Sequence, residues 1–284
     1  MIEEVDVRLL DVARTVCCFV DRDEGWLVDP GPQSCEARLL DALGDWVPER
    51  ILLTHIHFDH AGATGSLLRR WPDAEVWVHE RGAPHLADPE RLVASARRIY
   101  GDDFDRLWGE VNPVPEDRLV VLGGGERRDG WEVAYTPGHA SHHVAYLHHG
   151  GTAFCGDVAG VRILDGPVFP PTPPPDIDLG LWARSIEQVK AWEPTELAVT
   201  HFGRWSDVTA HLEELGETLE RFGALARDTD ADSFAAAVRE HVEARTSGDV
   251  ARAAYARANP PDTLWAGLHR YWSKRAERGA TDSS

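Results

Sequence analysis

The sequence predicts an α/β fold followed by a run of helices. Short apolar stretches alternate with amphipathic, helix-length ones through the first two-thirds of the chain, turn residues punctuate them, and the remainder reads as helix alone. With 284 residues, 43% of them hydrophobic and 27% charged, the chain can bury one large core or two smaller ones.

Taken in order, Val5 to Val12, Thr15 to Val20 and Trp26 to Asp29 read as strands, the last two joined by the turn-prone Asp21-Arg22-Asp23-Glu24-Gly25. Ser34 stands where it can cap a helix running to about Trp46, with Pro48 as its stop. Arg50 to Thr54 is a buried strand that runs into a cluster of histidines, and Ala61 to Trp71 is the helix that leaves it. Val76 to His79 is a strand and residues 89–110 are helical. Leu119 to Leu122, Glu132 to Thr136, Val144 to His148 and Thr152 to Cys155 are further strands, which makes the second half largely antiparallel. The proline-rich Gly166 to Pro175 reads as an extended surface loop. A helix over Leu179 to Trp192 and a last strand, Leu197 to Thr200, precede a tail (206–276) of helices broken at Asp228 to Asp232, Ser247-Gly248-Asp249 and Asn259-Pro260-Pro261.

Charge narrows the partners. Asp and Glu number 48 against 29 Lys and Arg, a formal charge of -19, whereas binding a phosphate backbone draws its affinity from basic side chains releasing counterions. Nucleic acid is not an expected partner. The first residues, Met1 to Asp6, lack the basic and apolar regions of a secretory signal, and no stretch is apolar for the roughly 18 residues of a membrane span, so a cytoplasmic protein with no membrane partner is expected. A small molecule is the expected partner, with a homo-oligomer left open. Cys17, Cys18, Cys35 and Cys155 form neither a C-x-x-C pair nor a disulfide framework and read as buried thiols, with Cys17 and Cys18 on opposite faces of their strand.

The chemistry lies in "THIHFDHAGA", residues 54–63. On an extended chain residues two apart point the same way, so His55 and His57 can grip one ion while Asp59 and His60 face elsewhere. That suits two neighbouring ions better than one. A chance H-x-H-x-D-H string is expected in a chain of this composition only about a few times in a thousand. Further candidate ligands follow at strand ends: His139 in "TPGHASHH", Asp157 in "FCGDVAG" and His201 in "VTHFG".

Together with "VDPG" (28–31), "TPGH" (136–139), "GD" (156–157) and "THFG" (200–203), this string resembles the successive motifs of the metallo-β-lactamase fold superfamily, in its glyoxalase II-like hydrolase branch. The resemblance covers about residues 5–205. It implies a four-layer αβ/βα sandwich with the metals at one edge, a catalytic domain over 1–205 and a helical extension over 206–284. It also implies that His55, His57 and His139 hold one metal, that Asp59, His60 and His201 hold a second, that Asp157 bridges them and that Asp29 orients a ligand histidine. Zinc is the first expectation for both ions, with iron and manganese as alternatives. Two divalent ions, less the charges of Asp59, Asp157 and a bridging hydroxide, leave a surplus of about one positive charge to favour an anionic tetrahedral intermediate. Asp59 then serves catalysis by orienting the hydroxide nucleophile.

The function implied is a dinuclear metal-dependent hydrolase opening a thioester or lactone, of the hydroxyacylglutathione hydrolase or lactonase kind. A mononuclear iron dioxygenase acting on persulfides and a non-catalytic binding protein are the alternatives on the same scaffold. His142, Phe169, Arg204 and Trp205 are candidates for the substrate pocket, and His142 and His143 are expected to lie beside the ligands rather than among them.

Overall fold

The computed structural model describes residues 1–281. The first sheet has the order β1 (Ile2–Asp6), β2 (Cys17–Asp21), β3 (Trp26–Val28), β4 (Arg50–Leu52), β5 (Glu75–His79) and β6 (Leu119–Leu122). Its first three strands are antiparallel neighbours, and β3 to β6 run parallel. Between these strands come the helices α1 (Glu36–Leu43), α2 (Phe58–Ala61), α3 (Thr64–Arg70), α4 (Ala83–Ala87), α5 (Glu90–Tyr100) and α6 (Phe104–Trp108).

The second sheet contains β7 (Arg127–Arg128), β8 (Trp131–Tyr135), β9 (Val144–His148), β10 (Thr152–Phe154), β11 (Glu196–Val199) and β12 (Gly203–Trp205), arranged with β12 at one edge and β7 at the other. All its pairings are antiparallel except β10 with β11, which are joined through the crossover helix α7 (Leu179–Ala191). The helices α8 (Val208–Asp228), α9 (Ala231–Arg245), α10 (Asp249–Ala258) and α11 (Pro261–Thr281) complete the described residues.

Strand periodicity explains the four layers. Alternate residues point to opposite faces, so a strand buried on both sides must be apolar throughout. Cys18, Val20, Leu27, Ile51, Leu53 and Val76 pack outward under the first group of helices, whereas Cys17, Phe19, Trp26, Val28, Leu52 and Trp77 pack inward. There they meet Trp131, Tyr146, Phe154 and Ala198 of the second sheet, with Trp26 edge-on to Trp131 at 5.1 Å and to Phe154 at 5.3 Å. Ala153, Cys155, Leu197 and Val199 face the outer helices, in one apolar cluster with Trp182 of α7, Phe222 of α8, Phe234 of α9 and Leu264 of α11. All four cysteines are buried and free, and Cys17 and Cys18 do face opposite ways.

Several boundaries differ from the sequence reading. The first strand ends at Asp6, because Arg8, Leu10 and Asp11 take left-handed backbone and fold the chain into a turn. Ser34 caps nothing: its hydroxyl donates to the carbonyl of Leu107 at 2.6 Å, and a single 3₁₀ turn precedes α1. The helical stretch 89–110 breaks at Gly101, whose φ of 53° ends α5, and resumes as α6. No helix among the described residues is long and apolar enough to cross a membrane.

Candidate metal centre

One edge of the sandwich collects the chain just beyond β3, β4, β8, β10 and β11. The side chains delivered there form two sets of donor atoms, each within 4.8 Å of one another: His55, His57, His139 and Asp157 in one, Asp59, His60 and His201 in the other. All seven candidate ligands therefore meet. The two oxygens of Asp157 divide between the sets. Its Oδ2 lies 3.2 Å from His139 Nε2 and 3.9 Å from His55 Nε2, while its Oδ1 lies 3.2 Å from His60 Nε2 and 3.4 Å from His201 Nε2. Asp59 Oδ2 is 3.4 Å from His201 Nε2 and 4.0 Å from His60 Nε2.

The outer nitrogens of the rings decide what the inner ones carry. His60 Nδ1 donates to Asp29 Oδ2 at 2.8 Å, His139 Nδ1 donates to the carbonyl of Pro171 at 2.9 Å, and His201 Nδ1 donates to the carbonyl of Thr15. Thr54 Oγ1 spends its own proton on Asp29 Oδ2, so at 3.1 Å it accepts from His55 Nδ1. With these bonds assigned, Nε2 is the atom through which each of the four rings offers a lone pair once it carries a single proton. His55 Nε2 and His139 Nε2 stand 3.0 Å and 2.9 Å from His57 Nδ1, which has at most one proton to offer the two of them. His60 Nε2 and Asp157 Oδ1 are buried without a hydrogen-bond partner. Lone pairs crowded together away from water repel and are costly to bury, and a shared cation removes both costs. The donor set fits divalent metal.

Asp29 ties the segments together. It is fully buried, has left-handed backbone (φ 51°), and accepts from Thr54 N at 2.9 Å and from Thr54 Oγ1, His60 Nδ1 and Thr200 Oγ1, each at 2.8 Å. Gly156 turns the chain into Asp157 at φ 46°, where a Cβ would lie 2.3 Å from Thr54 Oγ1. Glycine is required by both conformation and space.

Electrostatics separate the two sets. Burial and the neighbouring imidazoles hold His55 well below its ordinary pKa and take His57 down to about 4. Burial also opposes charge on His60, but Asp157, Asp29 and Asp59 outweigh it and raise that group well above its ordinary value. Asp59 falls to about 2 and Asp157 goes well below the carboxylate range, because the facing imidazoles more than offset burial. Both carboxylates are thus held as anions.

Above this edge opens a cavity of about 520 Å³, with His57, Asp59, Asp157 and His201 on its floor. Ile56, Phe58, Tyr100, Trp108 and Leu264 give it apolar walls, and Pro171 and Pro173 to Pro175 close one side. The proline loop is therefore a wall of the site and not surface alone. His142 also lines the cavity, where its Nδ1 faces Ile56 N at 3.4 Å. His143 lies behind His55, ring centroids 5.0 Å apart, with Nδ1 against Thr136 Oγ1.

Three pocket candidates lie elsewhere. Phe169 is buried against Phe222, 4.7 Å between centroids, in the core under α8. Arg204 belongs to β12 and pairs with Glu4 and Glu196, and Trp205 lies under the guanidinium of Arg162 at 3.9 Å. Their nearness to His201 in sequence misleads because β12 turns back along β11, away from the cavity. Tyr100, Trp108 and Leu264 went unrecognised, although Ile99, an exposed apolar residue beside Tyr100, marks the cavity mouth. A larger hollow of about 830 Å³ between α7, α8 and α11 contains none of the clustered residues.

A third donor group, Glu24, His148 and His149, sits at the other end of β9. Gly150 N donates to His148 Nδ1 at 3.3 Å, which leaves the ring proton on Nε2, and that proton goes to Glu24 at 2.9 Å. A hydrogen bond accounts for this group.

Comparison with known proteins agrees with the geometry. The family model described as the metallo-beta-lactamase superfamily matches residues 11–203. The metallo-beta-lactamase fold-containing protein ST1585 of Sulfurisphaera tokodaii is 31% identical over 174 residues, which are 58% of this chain and 65% of that protein. A hydroxyacylglutathione hydrolase of Legionella pneumophila (strain Corby) is 28% identical over 160 residues, 54% of this chain and 52% of the hydrolase. The chain thus spans between about half and two-thirds of the length of these curated relatives. In the solved structure of ST1585, described as from Sulfolobus tokodaii, the fold superposes with a TM-score of 0.72 at 24% identity, covering 94% of this chain and 97% of that one. TTHA1623, solved in a di-iron-bound form, gives a TM-score of 0.51 at 26% identity over 66% of this chain and 87% of its own. By the two-sheet, helix-flanked architecture, the clustered His and Asp side chains and the extent of the family match, this chain belongs to the metallo-beta-lactamase superfamily.

Proposed function

We propose that the chain is a dinuclear metal-dependent hydrolase that opens an ester-like bond, thioester or lactone. The observation that carries this reading is the convergence of four imidazole Nε2 atoms on the two oxygens of one buried aspartate. His55, His57 and His139 would hold one ion and Asp59, His60 and His201 the other, with one oxygen of Asp157 turned towards each set. When bound, such a pair of ions supplies an acidified water at neutral pH and positive charge for a tetrahedral anion.

The protein's own groups do the rest. Asp59, kept ionised, accepts a proton or holds a hydroxyl at the cavity floor. Phe58, Tyr100, Trp108 and the prolines exclude water and receive an apolar portion of the substrate. Residues 1–205 are the catalytic domain in this reading, and 206–284 are an extension that shares its apolar cluster and contributes Leu264 to the cavity.

The second set is complete, as a two-ion site requires, and the alternative is a mononuclear oxygenase that keeps the same residues, which metal content and oxygen dependence separate. Zinc heads the candidates, with iron close behind, since the similar TTHA1623 carries a di-iron pair. Metal analysis of the purified chain, with thioesters, lactones and phosphoesters assayed in air and without it, tests the proposal. Two ions per chain and turnover unchanged without oxygen are expected; a single iron with turnover that stops anaerobically would overturn it.

A further inference from the structure

Residues 170–175 read Pro-Pro-Thr-Pro-Pro-Pro, so Thr172 supplies the segment's sole backbone N–H. Such a segment cannot be held by a hydrogen-bonded ladder, and its place must come from side chains and from whatever packs on it. Yet the carbonyl of Pro171 is the acceptor that orients His139, at 2.9 Å from Nδ1. Whatever fixes Pro171 fixes that ring.

Two contacts with α11 fall on the residues that follow Pro171. Thr172, 1% exposed, donates through Oγ1 to the carbonyl of Leu264 at 3.0 Å. One turn further on, a Cβ at Gly267 would lie 1.9 Å from the Thr172 carbonyl oxygen and 2.9 Å from the carbonyl carbons of Thr172 and Pro173. The helix backbone itself therefore presses on the segment. Leu264 and Gly267 are three residues apart and share a helix face, so one face makes both contacts.

We infer that α11 positions the metal centre: through Thr172 and Gly267 it holds the proline segment so that the Pro171 carbonyl aims His139 Nε2 inward. This rests on the reading of His139 as a metal ligand. It gives the C-terminal helices a role in the chemistry although none of their residues is a ligand in that reading.

The test uses the full-length protein loaded with cobalt, following release of the ion to a chelator and the visible cobalt spectrum. Thr172→Val keeps the shape and loses the donor, Gly267→Ala adds the forbidden methyl, and Thr172→Ser restores the donor. Phe234→Leu, a change in the core of α9, measures the effect of general destabilisation. Thr172→Val and Gly267→Ala are expected to release an ion about tenfold faster and to shift the spectrum, as loss of an outer partner of a ligand does, while Thr172→Ser stays close to the parent. If both release no faster than Phe234→Leu while His139→Asn loses an ion, the positioning role is overturned and His139 remains a ligand. If His139→Asn keeps both ions, the ligand reading falls and the inference with it. Should Gly267→Ala fail to fold, Thr172→Val decides alone.

Discussion

Asp29 binds together more of the site than any of the proposed ligands. Its carboxylate joins the end of β4, the ring of His60 and the end of β11 through four hydrogen bonds. Asp29→Asn preserves shape but turns one acceptor into a donor that faces other donors. Metal should be lost to a chelator about 10 to 100 times more readily, with His60 the weakened ligand, as measured by metal content after dialysis. Unaltered retention would remove Asp29 from the account. His142→Ala should leave the metal content alone, because that ring lines the cavity and lies outside both donor sets. Loss of an ion there would show that the wrong histidine had been chosen. At this scale the sequence was informative where donors are close in the chain, as from His55 to His60. It was silent about Thr15, Thr54 and Pro171 as partners of the rings and about Thr200 as a partner of Asp29, because a carbonyl or hydroxyl meets such a group only once distant segments come together.

The elements were legible in proportion to their apolar content. Buried strands such as β4, β5 and β10 carry the pattern along their length, while β7 and β12, short edge strands of Arg, Gly and Trp, carry none. Helix α8 illustrates a contact that needed the structure. His211 on its first turn donates from Nε2 to the carbonyl of Ala159 at 2.8 Å and so docks the helix on the turn that follows Asp157. Burial, aided by Arg162, drives the pKa of this imidazole down to about 4 despite that bond. An unfolded histidine takes up its proton near pH 6.5, so the native contribution is complete above that value and is lost as pH falls towards the folded pKa. The loss reaches on the order of 3 kcal/mol. His211→Gln, which can keep a donor to Ala159, should flatten the decline of stability between about pH 6.5 and about pH 4.5, followed by denaturant titration. Parallel profiles for parent and variant would contradict this.

For the whole molecule, the pattern of residues gave an α/β chain, and the sandwich came only from the resemblance that the order of motifs carries; the structure supplies its physical reason, since strands with both faces apolar have to be covered on each side. What the helical tail does was not legible. Its apolar stripes look alike whether they pack on one another or on the sheets, and the structure puts Phe222, Phe234 and Leu264 in one cluster with Leu197 and Val199 of β11. A chain ending at Trp205 should therefore fail to fold cooperatively, with native-like far-ultraviolet and lost near-ultraviolet circular dichroism. A soluble, cooperatively melting 1–205 fragment would show that the extension is dispensable to the core.

The central claim is that two ions sit on either side of Asp157. Anomalous diffraction from crystals of the metal-loaded protein tests it most directly. The account predicts two peaks, one among His55, His57 and His139 and one among Asp59, His60 and His201, with a different oxygen of Asp157 on each. A single peak, or peaks distant from Asp157, would contradict it.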